Sequence, residues 1–151
     1  MTYDQVLNRL ASLCSKSEKS PQEIYRKALA SGLSFGEAER LVTYLKQEDY
    51  LSEERYAAAF VSDKFRFEHW GRIKIAYALR GKGIDDSAIS TALEEKIDEE
   101  EYLETCNDLL QQRARGMNRP FSQPDRVRIY RFLAQRGFES EIISQALSRL
   151  R

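Results

Sequence analysis

A unit of about fifty residues recurs along this chain, and no other feature narrows the possible folds as far. Between Leu51 and Leu93 the sequence reads LSEERYAAAFVSDKFRFEHWGRIKIAYALRGKGIDDSAISTAL. A shift of 54 carries Arg72 onto Arg126, Lys74 onto Arg128, Ile75 onto Ile129 and Leu79 onto Leu133. The same shift carries Lys82 onto Arg136, Gly83 onto Gly137, Ile89 onto Ile143, Ala92 onto Ala146 and Leu93 onto Leu147. A weaker copy lies upstream at a shift of 51, where Gly32 matches Gly83, Leu33 matches Ile84, Ile24 matches Ile75 and Val42 matches Leu93. A period of this size with a shared glycine–apolar step is the mark of a helical repeat array.

Each unit reads as three helices. In the middle one Ser52 can cap the first, with Glu53 and Glu54 in its opening turn where the helix dipole favours negative charge. Tyr56, Ala59, Phe60 and Phe67 recur at helical spacing until Trp70 and Gly71 interrupt the pattern. The second helix carries Ile75 and Leu79 and stops at Gly81-Lys82-Gly83, where a glycine can take a left-handed C-terminal position. Asp85 and Asp86 offer a cap for the third, which sets Ile89, Ala92 and Leu93 on one side.

Upstream, Val6, Leu7, Leu10, Leu13 and Cys14 form the stripe of a helix running from Tyr3 to about Ser15. Ser20-Pro21-Gln22-Glu23 predicts a helix start with a capping box and proline at the first position. Ser34 and Glu37 predict another capping box. Downstream, Glu94 to Glu101 is an acidic connector into a helix bearing Tyr102, Leu103, Cys106, Leu109 and Leu110, with Arg113, Arg115 and Arg119 at its end. Pro120 and Pro124 bracket a predicted loop. Helices are expected over 125–135 and 142–150. The sum is about nine helices, all-α, in an elongated array of three tandem three-helix repeats spanning 1–50, 51–97 and 98–151.

With 42% hydrophobic and 32% charged residues the chain is expected to be soluble. No run approaches the roughly 20 apolar residues of a membrane span. The first residues, Met1 to Gln5, lack the basic start and apolar centre of a signal peptide, so a cytoplasmic location is expected. Cys14 and Cys106 do not suggest a disulfide frame and read as reduced thiols in helix faces. With His69 as the one histidine they make no metal site. No Gly-rich phosphate loop and no nucleophile–base pair is visible, so neither an enzyme nor a cofactor is expected.

Net charge is zero, but it is unevenly spread. From Arg55 to Lys82 seven basic residues face two acids; from Asp85 to Asp108 ten acids face Lys96; from Arg113 to Arg136 seven arginines face Asp125. Any one block reads as solvated helix surface. Two basic blocks at matching repeat positions point further, to a field that steers an acidic or phosphate-bearing partner. The candidate contacts are Arg55, Arg66, Arg72, Lys74, Arg80 and Lys82 in the middle repeat, with Arg126, Arg128, Arg131 and Arg136 in the third. Arg55 has an equal alternative as an internal ion-pair partner. Six aromatics between Tyr56 and Tyr77 read first as core, while Phe65, Arg66, Phe67 and Trp70 at a helix end also suit a stacking or docking surface. The first repeat has Pro21 and Glu23 where the others have Arg72/Arg126 and Lys74/Arg128, and so lacks their basic character.

The run Leu51-Ser52-Glu53-Glu54-Arg55-Tyr56-Ala57, followed by Gly71, Lys74-Ile75, Leu79-Arg80, Lys82-Gly83-Ile84, Ile89 and Leu93, resembles the RecX family, bacterial regulators of the RecA recombinase. The resemblance covers essentially the whole chain. Ala28 departs from the usual leucine before Gly32, and Phe138 from the aliphatic residue after Gly137. The resemblance implies a monomeric partner of the RecA–single-stranded-DNA filament, lying in its groove across more than one protomer. It implies inhibition of ATP hydrolysis, strand exchange and co-protease action, hence a part in recombination, DNA repair and the SOS response, with filament disassembly favoured. Some members of the family also bind DNA directly. The residues alone leave a second reading, a stand-alone helical DNA-binding module with salt-steep affinity for single- or double-stranded DNA.

Overall fold

The computed structural model describes residues 1–149. Among them are nine helices and no strand: α1 (Tyr3–Lys16), α2 (Pro21–Ala30), α3 (Phe35–Gln47), α4 (Glu53–Arg66), α5 (Arg72–Gly81), α6 (Asp86–Lys96), α7 (Glu99–Arg113), α8 (Gln123–Gln135) and α9 (Ser140–Ser148). Of the expected last helix, Leu150 lies outside the described residues.

Short polar side chains start most of these helices, each accepting a hydrogen bond from a backbone N–H three residues on. Ser34 and Glu37 form the reciprocal capping box, and so do Thr2 and Gln5. Ser20 accepts from the Glu23 N–H with proline in the first turn, but the Glu23 carboxylate does not return to close a box there. Ser52 accepts from the Arg55 N–H and Ser122 from the Asp125 N–H. Because Ser122 is the cap of α8, Pro124 sits inside its first turn instead of closing a loop. A first-turn residue has no intrahelical use for its N–H, so proline is tolerated there.

The repeated glycine–apolar step is a helix-ending turn. Gly32, Gly83 and Gly137 all have left-handed φ, at 98°, 77° and 99°. In each case the N–H of the next residue reaches back five residues: Leu33 to the Ala28 carbonyl, Ile84 to Leu79, Phe138 to Leu133. Those apolar residues are buried, as are the three whose carbonyls they meet. This is the Schellman arrangement, with its apolar contact across the turn.

Packing forms two compact units: residues 1–59 with 79–92, and residues 60–78 with those from 93 onward. The middle repeat's helices therefore contribute to both. In the first unit α1, α2 and α3 close around Val6, Leu10, Ile24, Ala28, Leu41, Leu45 and Leu51. Glu53 there accepts from the Asp85 N–H at 3.0 Å, and Asp85 caps α6 through the Ser87 N–H at 3.1 Å. In the second unit α7, α8 and α9 pack together. The fully buried ring of Tyr102 lies 5.8 Å from Phe65 and 5.1 Å from Phe138. Each large apolar side chain removed from water in this way contributes about 1.5–3 kcal/mol.

The segment before α5 and the turn after α8 lie backbone on backbone in the second unit. The Gly71 N–H donates to the Arg136 carbonyl at 2.7 Å, and the Ile73 N–H to the Gly137 carbonyl at 3.0 Å. A methyl at Gly71 would stand inside 3.0 Å of three backbone atoms of Gly137 and Phe138. Gly71 is thus required by proximity, where its sequence context showed only an interruption.

Candidate partner-binding face

Tyr102 and Glu139 decide what Arg72, the first residue of α5, can do. The Arg72 N–H donates to the Tyr102 hydroxyl at 2.9 Å, and that hydroxyl donates in turn to Glu139. The Arg72 guanidinium donates to the other Glu139 oxygen at 2.8 Å and to Glu99 at 2.6 Å, with its carbon 4.0 Å from the centre of the Tyr102 ring. Its side chain is 21% exposed. Glu139 occupies the N-cap position of α9 but makes no cap hydrogen bond, because its carboxylate is spent on this ring of contacts. Burial, then the bond to Glu139, pushes the Tyr102 phenol well above its usual range. Burial pulls Arg72 down, but the Glu139 bond and neighbouring negative charge outweigh it.

Two further candidates are engaged inside their units. The Arg55 Nε donates to both Glu18 oxygens at 3.1 and 3.0 Å, while its terminal nitrogens reach the Asp49 carboxylate at 2.9 Å and the Asp49 carbonyl at 2.8 Å. The bonds to Asp49 and then Glu18 hold it above its ordinary pKa. Of the two roles open to Arg55, the structure shows the internal one. Arg136 caps the end of α8, donates to the Glu68 carbonyl at 3.1 Å and lies 5.8 Å from the Phe132 ring.

The other candidates are exposed or half-buried. In the first unit Arg80 makes an exposed pair with Asp86 at 3.0 Å. Lys82 shares a cleft with Arg26 and Lys27, two cations of the first repeat that no sequence pattern marks. In the second unit Arg66 and Arg131 are exposed and Arg126 is half-buried. Arg128 pairs with Asp125 at 2.9 Å. Lys74 sits 4.4 Å and Lys64 4.9 Å from the Trp70 ring, which also meets Phe60 edge-on.

The aromatics divide by position. Phe65 is core, but Phe67 is 76% exposed, and on α5 Ile73 is 55% and Tyr77 78% exposed one helical turn apart. More than half of each of these two side chains stands in water. Cys14 and Cys106 are buried, and burial pushes both thiols up, Cys106 to about 12, which favours the thiol over the thiolate. Among the described residues no three His, Cys, Asp or Glu side chains converge to hold a metal, and no helix is long and apolar enough to cross a membrane.

Residues 52–93, which enclose α4 and α5 and most of α6, match the family description "RecX, second three-helix domain", and residues 99–147 match "RecX, third three-helix domain". A regulatory protein RecX from Xanthomonas axonopodis pv. citri is 33% identical over 140 residues, covering 93% of this chain and 84% of that one. The chain belongs to the RecX family.

Another RecX, from Chromobacterium violaceum, is 31% identical across 93% of this chain and 87% of its own. With the RecX of Clostridium tetani identity is 26%, and this chain spans 62% of that protein's length. The crystal structure of RecX from Lactobacillus salivarius superposes with a TM-score of 0.87 over 98% of this chain and 96% of that one, at 20% identity. The nine-helix fold is therefore the RecX fold, and RecX proteins are named as regulators.

Proposed function

We propose that this chain regulates the RecA recombinase by binding the RecA–single-stranded-DNA filament in its groove. Binding there lowers the ATPase, strand-exchange and co-protease activities and favours disassembly. The observation that carries the reading, beside family membership, is the solvent-facing Ile73–Tyr77 pair on α5 in a unit that also holds Arg66, Lys74, Arg126, Arg128 and Arg131. Exposed apolar side chains among cations are what an acidic or phosphate-bearing surface recognises, with the aromatic as an anchor. Arg55, Arg72 and Arg136 support the fold and are set aside from this face. Arg80 and Lys82 offer cations on the other unit.

The test is a titration of RecA's single-stranded-DNA-dependent ATPase. Wild-type protein lowers the rate at concentrations too small to cover the DNA. The combined change Arg66→Glu, Lys74→Glu and Arg126→Glu keeps the helical circular dichroism and shifts half-inhibition upward by at least about tenfold. A folded triple variant that inhibits like wild type removes the basic face from the mechanism. Inhibition that appears only when the DNA is saturated favours the stand-alone DNA-binding reading.

A further inference from the structure

Arg113 at the end of α7 and Arg128, Arg131, Phe132 and Gln135 of α8 line one open cleft of about 330 Å³. Three guanidinium groups and no carboxylate line it. Arg128 has its pair with Asp125 yet stays 60% exposed. Among the described residues no hydrogen bond or ion pair engages the Arg113 or Arg131 guanidinium. Asp125 offsets one of the three charges, and the other two repel, so this cluster weakens the empty protein instead of supporting it. An oxyanion reverses that sign. The planar guanidinium fork matches a phosphate in two-point contact. The half-buried Phe132 ring adds an apolar wall suited to a flat base, and the Gln135 amide can both donate and accept at its edge. An acidic peptide would use the arginines but not the aromatic wall.

We propose that this cleft binds a nucleoside phosphate, with the oxyanions on Arg113, Arg128 and Arg131 and the base against Phe132. The ligand is either a free nucleotide or one nucleotide of a single strand. Arg128 and Arg131 belong also to the face proposed above, so the assay omits RecA, and failure of one reading leaves the other standing.

The purified full chain is titrated into a fluorescent N-methylanthraniloyl ADP and, separately, a fluorescein-labelled thymidine oligomer of about 20 nucleotides at low salt. Saturable binding of the ADP probe identifies the free nucleotide; saturation by the oligomer alone identifies the strand. Arg113→Ala with Arg131→Ala weakens that binding by roughly tenfold or more, and Phe132→Leu by several-fold. Arg26→Ala with Lys27→Ala, an equal loss of charge elsewhere, changes it by less than about twofold. If the double arginine variant loses its helical spectrum, Arg113→Lys with Arg131→Lys, which keeps charge but not the fork, still weakens binding several-fold. The proposal is overturned if neither probe saturates, or if the Arg26/Lys27 control costs as much as the cleft variant. Displacement by polyglutamate as effective as by inorganic triphosphate also overturns it.

Discussion

Replacing Gly71 by alanine adds one methyl group to a segment whose neighbours are backbone, so no side chain can swing aside. The carbonyl carbon and oxygen of Gly137 and the nitrogen of Phe138 would all fall inside 3.0 Å of the new carbon. Ordinary contact begins near 3.4 Å, and relief requires the α5 entry and the turn after α8 to part. Parting strains the Gly71-to-Arg136 and Ile73-to-Gly137 hydrogen bonds. Overpacking of this kind costs about 1–3 kcal/mol, and each buried bond left unmade about 1–3 kcal/mol more. With two such bonds the expected loss is therefore about 3–9 kcal/mol, comparable to the roughly 5–15 kcal/mol that holds a domain together. Urea unfolding followed by far-ultraviolet circular dichroism and by Trp70 fluorescence measures it. Gly36→Ala is the internal control: Gly36 lies within α3 with nothing inside 4 Å of an added carbon. That change stabilises by about 0.5–1 kcal/mol, the ordinary helical preference for alanine. A Gly71→Ala protein within about 1 kcal/mol of wild type would refute the close-approach reasoning.

A double-mutant cycle on Arg72→Ala and Glu139→Ala is expected to show coupling of about 1–3 kcal/mol in unfolding free energy; additive effects would disprove the ring of contacts. Because burial raises the Tyr102 and Cys106 pKa values, their neutral forms are favoured in the fold. Stability is then complete below about pH 8.5 and falls as pH rises through the unfolded thiol and phenol values, about 8.5 and 10. Tyr102→Phe flattens the steeper alkaline part of that curve, and an unchanged slope would show that the phenol is not responsible. Tyr77→Ala, at a side chain already in water, is expected to leave stability within about 0.5 kcal/mol while weakening RecA inhibition several-fold. Inhibition equal to wild type would take Tyr77 out of the contact surface.

Two isoleucines on opposite faces of α5 show how ambiguous an apolar pattern is. Ile75 and Ile73 have the same chemistry, yet Ile75 is wholly buried and Ile73 is 55% exposed. Spacing with Leu79 identified the inward one. Tyr77 fits either a core or a contact role by sequence, and only the packed neighbours show it in water. Arg55 was similarly divided, and its partners Glu18 and Asp49 lie 37 and 6 residues away.

What the chain determined by itself is whatever depends on atoms a few residues apart. Serine caps bond three residues on, the glycine turns bond five residues back, and helical faces repeat every three or four positions. Those interactions are written in short words, so the helices, their stops and the recurring glycine turn were legible. The roles of the cations were not. Arg72 meets Glu139 across 67 residues, Gly71 lies against Gly137, and Arg113 reaches the cleft of Arg128 and Arg131 from a different helix. Which charge is quenched and which stays free depends on how helices pack, and a guanidinium looks the same in sequence whether a carboxylate waits beside it or only water.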